Sequence, residues 1–550
     1  LQGAWSLAGH YADRPDRHVF NRLKATLGGS DIGGRIVVHH GGSRPRLVAN
    51  LDANRLHADE LMPEPAGQTA AGDGLDQPLE LDGLAALDLD VELRVRQLAG
   101  LAKPVQDILL TAKAGRQRLA LTPARANVDG VQLDAQAELP WGDRLGVPDR
   151  NGITARQLVE HADLALSAEV PAGKLQHQTA LIGHPMNLEL LGLEAVAPPG
   201  KALQLRASAR LDDTPVQVSL QAAPLAELLQ RPEGPWRDLA LEVKGGDIHL
   251  TATGSVEQPF KVRGFDIRYA LQGAEIDTLL PIFDLVLPLE GPYSLTGHFA
   301  DLPDRIMFDD LNITTGGSDI GGNISVYQGD TRPRVVGNLH SDQIYLRELL
   351  PVSEPETVSR TDPRVIPDYN LPVERLREID GELHFTGKRL RTVAGDLGDI
   401  HFTATLQDGV FRVDPFRVRG WAGALVESDF TIDASQDPPR VTWQWIARQL
   451  NYGFLLKQAR FARNVEGTLD ITLRLSGKGR TRHEFLGDAD GQLVIAGREG
   501  RFGSRWLDLW GSDLVTTMLS RQWRREDVTE LNCMVARVTI EDGIASSDDI

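Results

Sequence analysis

The stretch Leu87-Asp88-Leu89-Asp90-Val91-Glu92-Leu93-Arg94-Val95-Arg96 sets how the chain is read. Leu87, Leu89, Val91, Leu93 and Val95 fall on one side, and every residue between them is charged. A period of two is that of a β-strand with one face hidden and one in water. Similar runs are Leu203–Leu211, Val216–Leu220, Leu239–Val243, Asp247–Thr253, Phe265–Leu271, Gly381–Thr386, Asp399–Leu406, Val410–Val413, Glu427–Ile432 and Thr468–Leu475. Turn signals such as Asn127–Gly130, Gln407–Gly409 and Glu541–Gly543 separate strands, with centres about ten to fifteen residues apart, as in antiparallel meanders. Helices are expected to be few and short: Asn54–Leu61, Ser341–Leu350 and Ser512–Trp523. The last has Ser512 or Asp513 as a cap and a stripe of Leu514, Val515, Met518, Leu519 and Trp523.

A long repeat organises these strands. GGSDIGG occurs at Gly28–Gly34 and again at Gly316–Gly322, and Leu1–Pro63 aligns without gaps to Leu289–Pro351, with roughly half the positions identical. After a linker four residues longer in the second copy, Asp107-Ile108 matches Asp399-Ile400, and Pro123 matches Pro415. The unit is close to 290 residues, so each copy is itself domain-sized. The expected division is 1–182 as the first unit, 183–458 as the second and 459–550 as a closing segment. Pro63–Pro78, Val352–Pro372 and Ala195–Lys201 read as solvated linkers.

The 550 residues carry 58 Lys+Arg against 77 Asp+Glu, a formal net charge of −19. That acid excess argues against nucleic acid as a partner and against electrostatic docking on an anionic membrane. A single cysteine, Cys533, excludes an internal disulfide framework, and is expected to pack as a small apolar residue. No apolar run reaches the roughly 18 residues of a membrane-spanning helix; the best, Leu279–Leu289, is short and holds Asp284. Because the chain starts at Leu1 and stops inside a strand-like pattern, it reads as a fragment from which an N-terminal anchor or signal peptide would be missing.

The fold expected is mostly β: a long antiparallel, curled sheet forming a repeating trough, with a few short helices. A sheet with one apolar face must hide that face by closing, by pairing, or by holding something against it. The residues that would line the trough are Leu89, Val91, Leu93 and Val95; Phe265, Ile267 and Tyr269; Leu383 and Phe385; Ile400, Phe402 and Leu406; Phe430 and Ile432; and Leu469, Ile471, Leu473 and Leu475. Alternation alone leaves an open groove and a closed core even.

No catalytic, cofactor or metal site is expected. GGSDIGG lacks the Lys of a phosphate-binding loop, so Gly28, Gly29, Gly33, Gly34, Gly316, Gly317, Gly321 and Gly322 are read as turn and bulge residues, with Asp31 and Asp319 capping local amides. The pair His39-His40 is replaced by Tyr327-Gln328 in the second copy; His10 and His298 match but show no ligand partner. Asp212-Asp213, Asp309-Asp310 and Asp548-Asp549 are neighbours that a strand would point opposite ways, unsuited to the paired carboxyls of glycoside hydrolysis.

Three features resemble the AsmA family, within the AsmA/TamB-like bridge-type lipid-transfer superfamily. They are GGSDIGG running through to Arg-Pro-Arg at Arg44–Arg46 and Arg332–Arg334, the stretch Leu287–Gly297, and Leu531–Arg537 leading into Glu541–Ile544. The resemblance implies a periplasmic protein tethered to the inner membrane by an N-terminal helix. It also implies a groove that binds or conducts phospholipid in support of outer-membrane assembly and lipid homeostasis. About 35 strands at about 4.8 Å would give a trough on the order of 150 Å long. The alternatives are a scaffold for outer-membrane protein assembly and a β-solenoid carbohydrate enzyme, for which no converging acids are visible.

Overall fold

A computed structural model describes residues 4–42, 44–61, 78–79, 87–101, 103–116, 118–140, 153–181, 184–278, 289–329, 332–349, 371, 373–392, 395–420, 423–458, 465–503 and 528–549. Expected helix Ser512–Trp523, the apolar run up to residue 288 and nearly all of the two long linkers lie outside them. The chain divides into two compact units, Leu1–Ile267 and Arg268–Ile550.

In the first unit strands follow one another as a meander: Trp5–Arg14, Arg17–Leu27, Ser30–His39 and Arg46–His57, then Asp88–Ala99, Val105–Ala114, Arg118–Val128 and Val131–Pro140. Asp163–Glu169, His184–Ala197, Ala202–Leu211, Thr214–Pro224, Trp236–Gly245 and Ile248–Gln258 extend it. The second unit repeats the scheme with Tyr293–Asp301, Arg305–Thr315, Ser318–Tyr327 and Arg334–Ser341, followed by Asp380–Thr392, Gly395–Gln407, Val410–Arg419 and Leu425–Asp433. Arg440–Asn451, Thr468–Lys478, Asp490–Gly497, Met534–Glu541 and Ile544–Asp549 complete it. In neither unit do the first and last of these strands pair with each other.

The mostly-β expectation holds, with one addition. Each unit contains a parallel join, Arg46–His57 beside Asp88–Ala99 and Arg334–Ser341 beside Asp380–Thr392, so the sheet is mixed. Alternation reports which face a residue takes, not the direction of its neighbour, and so could not reveal this.

The repeated heptapeptide organises the approach to that join. Gly28 and Gly29 turn the hairpin, and Ser30 and Asp31 open the next strand. Asp31 accepts hydrogen bonds from the backbone N–H of Asn54 (3.2 Å) and Arg55 (2.7 Å), and Ser30 Oγ accepts from His57 N–H (2.9 Å). Glu60 Oε1 accepts from Gly29 N–H (2.7 Å) and Oε2 from the Ser30 hydroxyl (2.5 Å). The second copy repeats every bond: Asp319 to Asp342 and Gln343, Ser318 to Tyr345, and Glu348 to Gly317 and Ser318. The motif is therefore structural, as expected, but its reach is longer: Asp31 and Asp319 grip amides 23 and 24 residues away, not local ones. Gly34 and Gly322 sit at φ +140° and +137°, where a Cβ would lie 2.1 Å from the carbonyl oxygen of Asn50 or Asn338. Only glycine fits there.

These grips explain why the expected helices shrink to Ala58–Leu61 and Leu346–Leu349. Arg55, Leu56 and His57 stay in the ladder opposite Gln97, Leu98 and Ala99, their amides held in part by Asp31 and Ser30. Cys533 also departs from expectation: it is exposed, in the connection just before strand Met534–Glu541.

Candidate functional site

Antiparallel partners directly opposite each other share a face, so the registers read out what each face carries. In the first unit one row crosses thirteen strands: Leu23, Gly34, Leu51, Leu93, Leu110, Ala124, Ala135, Leu166, Ala195, Leu205, Leu220, Leu241 and Ala252. In the second unit the row is Phe299, Phe308, Ile324, Gly337, Leu383, Ala404, Val413, Phe430, Trp443, Leu475, Gly491, Ile540 and Ala545, again over thirteen strands. Neither row contains a polar side chain. At about 4.8 Å per strand each runs about 60 Å along the sheet.

The opposite face is charged. Arg46–Asp90 (3.2 Å), Arg125–Asp134 (2.7 Å), Arg334–Glu382 (3.5 Å) and the Glu427 carboxylate between Arg417 and Arg448 (both 3.2 Å) link neighbouring strands across it. Exposed pairs of this kind add about 0–1 kcal/mol each; their larger effect is to keep that face wet. Burial, and then the nearby Asp414 and Glu427 carboxylates, push Asp429 above the usual carboxylate range.

The apolar face is neither sealed nor fully open. No residue of the first unit's row is buried, and Leu166 is 42% exposed. Small cores close its two rims instead. Ala53, Leu56 and Val95 pack together at one end of the strands, and Ala222, Ala223 and Leu228 with Trp236 at the other, where helix Leu225–Gln230 folds over. The second unit does the same with Ile344, Phe385, Ile400 and Val418 at one rim. At the other rim Val373, Ile432, Val441, Leu475 and Phe485 gather under helices Val373–Glu378 and Arg482–Gly487. Between these rims Val413, Phe416, Phe430, Trp443 and Trp445 line a shallow apolar depression. Its one hydroxyl, Ser428, accepts the Trp443 indole N–H at 3.0 Å, which pairs both groups.

The sequence-derived lining residues separate into two sets. Leu89, Val91, Leu93, Phe265, Ile267, Tyr269, Leu383, Phe402, Phe430, Leu469, Ile471 and Leu473 remain partly accessible. Val95, Phe385, Ile400, Leu406, Ile432 and Leu475 are buried, all but Leu406 within the rim cores. Burial pushes the Tyr269 phenol above its ordinary value. The alternation Val441, Trp443, Trp445 was present in the sequence between Thr442 and Gln444 and points to the depression directly. Among the polar candidates, the His40 ring lies tilted against that of His18 (ring centroids 4.7 Å), and Asp212 sits at φ 50° in a hairpin turn. No group of three or more metal-ligating side chains occurs among the described residues. Nor is any helix among them long and apolar enough to cross a membrane.

Residues 294–550 match the model of the AsmA family, and the first copy of the repeat carries the same heptapeptide, clamp and parallel join. The chain is thus similar to the AsmA family within its second unit. It is 21% identical over 416 residues to the AsmA family protein YhjG of Escherichia coli strain K12, an alignment covering 70% of this chain and 60% of that relative. The chain thus spans about 60% of the relative's length. No solved structure matches.

Proposed function

We propose that this chain, similar to the AsmA family over residues 294–550, is a non-enzymatic periplasmic protein that holds acyl lipid, phospholipid foremost, against the apolar faces of its sheet. In that role it supports outer-membrane assembly and lipid homeostasis, with the inner membrane and outer-membrane proteins as its neighbours. The observation that carries the proposal is the pair of unbroken apolar rows, the first with no buried residue and the second buried only at Gly337, Ala404 and Leu475, while the rims are sealed. Each CH₂ of an acyl chain exposed to water costs about 0.8 kcal/mol, so a lipid crossing water unaided meets a steep barrier. A row without a polar interruption lowers that cost at every strand and needs no reacting group. A row about 60 Å long also exceeds the roughly 30 Å hydrocarbon thickness of a whole bilayer, enough to accept an acyl chain lying along it.

Photoreactive phospholipid offered to the purified protein tests this. Crosslinks should map to the floor, at positions such as Val413, Trp443, Leu205 and Leu220, and not to the charged face. Crosslinks confined to outer-membrane barrel proteins, with none to lipid, would favour a scaffold and overturn the lipid reading.

A further inference from the structure

Three connections of the first unit meet at one end of its strands. One joins Asp88–Ala99 to Val105–Ala114 and carries Lys103. The next is the turn Asn127–Gly130 between Arg118–Val128 and Val131–Pro140, and the third is the turn at Gly173 and Lys174 that follows Asp163–Glu169. The registers Leu98 to Leu56, Val105 to Val128 and Glu169 to Gln132 put all three at the rim where Ala53, Leu56 and Val95 pack. They border an open depression of about 460 Å³ lined by Lys103, Pro104, Gln106, Asp129, Gly130 and Lys174.

Two ammonium groups share one carboxylate there. Lys103 Nζ donates to Asp129 Oδ2 and Lys174 Nζ to Oδ1, each at 2.9 Å. Those bonds, that of Lys174 foremost, and the two positive charges pull Asp129 down to about 2, so at neutral pH the trio keeps one net positive charge. An ammonium has three N–H donors. Among the described residues each lysine uses one of them on Asp129, and the others are left for a ligand. Both lysines are held by built turns. Asp129 at φ 52° and Gly130 at φ 88° form a tight turn in which Gly130 N–H donates to Asn127 Oδ1 at 2.9 Å. Gly173, at φ 80°, donates its N–H to the buried Glu189 carboxylate, which also accepts from Arg210 at 2.8 Å. Leu101 and Leu175, on the two lysine-bearing connections, are exposed. The repeated scaffold does not require this arrangement: with Asp107 matched to Asp399, Gly395 stands where Lys103 does.

We propose that Lys103 and Lys174 seat a phosphoryl group, carried by a phospholipid headgroup or by free phosphate. A carboxylate has two acceptor oxygens, and Asp129 already gives one to each lysine. A phosphoryl group offers three or more, so it can reach both ammoniums from the open side while Asp129 stays in place. Exposed Leu101 and Leu175 suit the first carbons of a lipid beside that headgroup. The headgroup source rests on the lipid reading above; the phosphoryl seat does not.

The probes are inorganic phosphate, acetate, and dihexanoyl phosphatidate below its micelle-forming concentration. Each is titrated calorimetrically into the full chain at low ionic strength, with amide exchange locating the site. Phosphate should bind more tightly than acetate and slow exchange at Gly130 and Lys174. Lys103→Gln and Lys174→Gln should each weaken it about fivefold, the range of one exposed charge pair. Asp129→Asn, which the left-handed turn accommodates, should tighten it by a similar factor. A purely structural Lys–Asp–Lys link predicts no such tightening. Phosphatidate binding well above that of phosphate, and weakened by the same lysine variants, assigns the headgroup source; equal affinities assign the free anion. Phosphate bound here by a protein whose floor takes no photoreactive lipid would sink the lipid reading and leave the seat standing. No phosphate binding at millimolar concentration, binding no tighter than acetate, indifference to both lysine variants, or binding unchanged or weakened by Asp129→Asn overturns the inference.

Discussion

The floors of the two units differ in side chains while sharing a layout. At equivalent positions Tyr11, Phe20, Ile36, Ala49, Val91, Ala112 and Leu121 of the first unit match Phe299, Phe308, Ile324, Gly337, Leu383, Ala404 and Val413 of the second. One strand further on the match ends: Ala137 and Leu164 stand where the second unit has Phe430 and Trp443. A close-packed core does not absorb an alanine-to-phenylalanine exchange without strain or compensation elsewhere. A partly open surface does. The clamps behave oppositely. Ser30, Asp31 and Glu60 recur unchanged as Ser318, Asp319 and Glu348, with the same partners in the same geometry. Hydrogen-bond geometry is fixed between the copies, and apolar volume is free so long as it stays apolar.

The largest effect expected from breaking this comparison is at a rim. Val441→Asp in the second unit places an unpaired carboxylate where Val441 is buried among Ile432, Leu475 and Phe485, and should cost about 3–5 kcal/mol by chemical denaturation. Leu220→Asp on the first unit's floor should cost under about 1.5 kcal/mol, because the charge can still reach water. Equal losses at both positions would mean that the floor is itself a closed core.

The clamps come next. Ser318 and Glu348 are buried, so Ser318→Ala strands a carboxylate oxygen and should destabilise the second unit by about 1–3 kcal/mol. Ser30→Ala should cost less, since Glu60 can be rehydrated. Differential amide exchange at Tyr345 and His57 checks the ordering.

A smaller, pH-dependent effect is expected at the first copy's clamp. Hydrogen bonds from the Gly29 amide and Ser30 hydroxyl hold Glu60 below its usual value. For Asp31, burial works upward, but the Arg55 and Asn54 donors outweigh it and lower it too. A carboxylate depressed in the folded state contributes stability above its unfolded pKa and loses it as pH falls through the folded one. Protection of the Asn54, Arg55 and His57 amides, measured against their intrinsic exchange rates, should therefore be constant near neutrality and fall below the ordinary carboxylate range. Asp31→Asn should raise exchange at neutral pH and flatten the acid response. The smallest effect belongs to the charged face: Arg125→Ala should change stability by no more than about 0.5–1 kcal/mol and fade further in salt.

Much of this was legible in the sequence because period-two alternation is a local signal: Leu87–Arg96 shows its two faces without reference to any partner. The direction of the strand beside it is not local, and the parallel joins depend on how the crossovers return. Glu60 and Glu348 were missed as clamp acceptors because they lie about 30 residues from the heptapeptide, although the recurrence of Glu-Leu at the end of both aligned stretches carried that information. Val95, Phe385, Ile400, Ile432 and Leu475 read like their floor neighbours because burial at a rim is imposed largely by elements distant in sequence, such as Phe485 on its short helix.

The most direct measurement is the phospholipid content of the chain purified from a lipid-containing envelope in mild detergent, extracted and quantified by mass spectrometry. The native protein should carry phospholipid in at least stoichiometric amount, and a Leu220→Asp, Trp443→Asp double variant that remains folded should lose most of it. Native protein free of lipid, or a folded double variant carrying as much as the native, would contradict a lipid-holding floor.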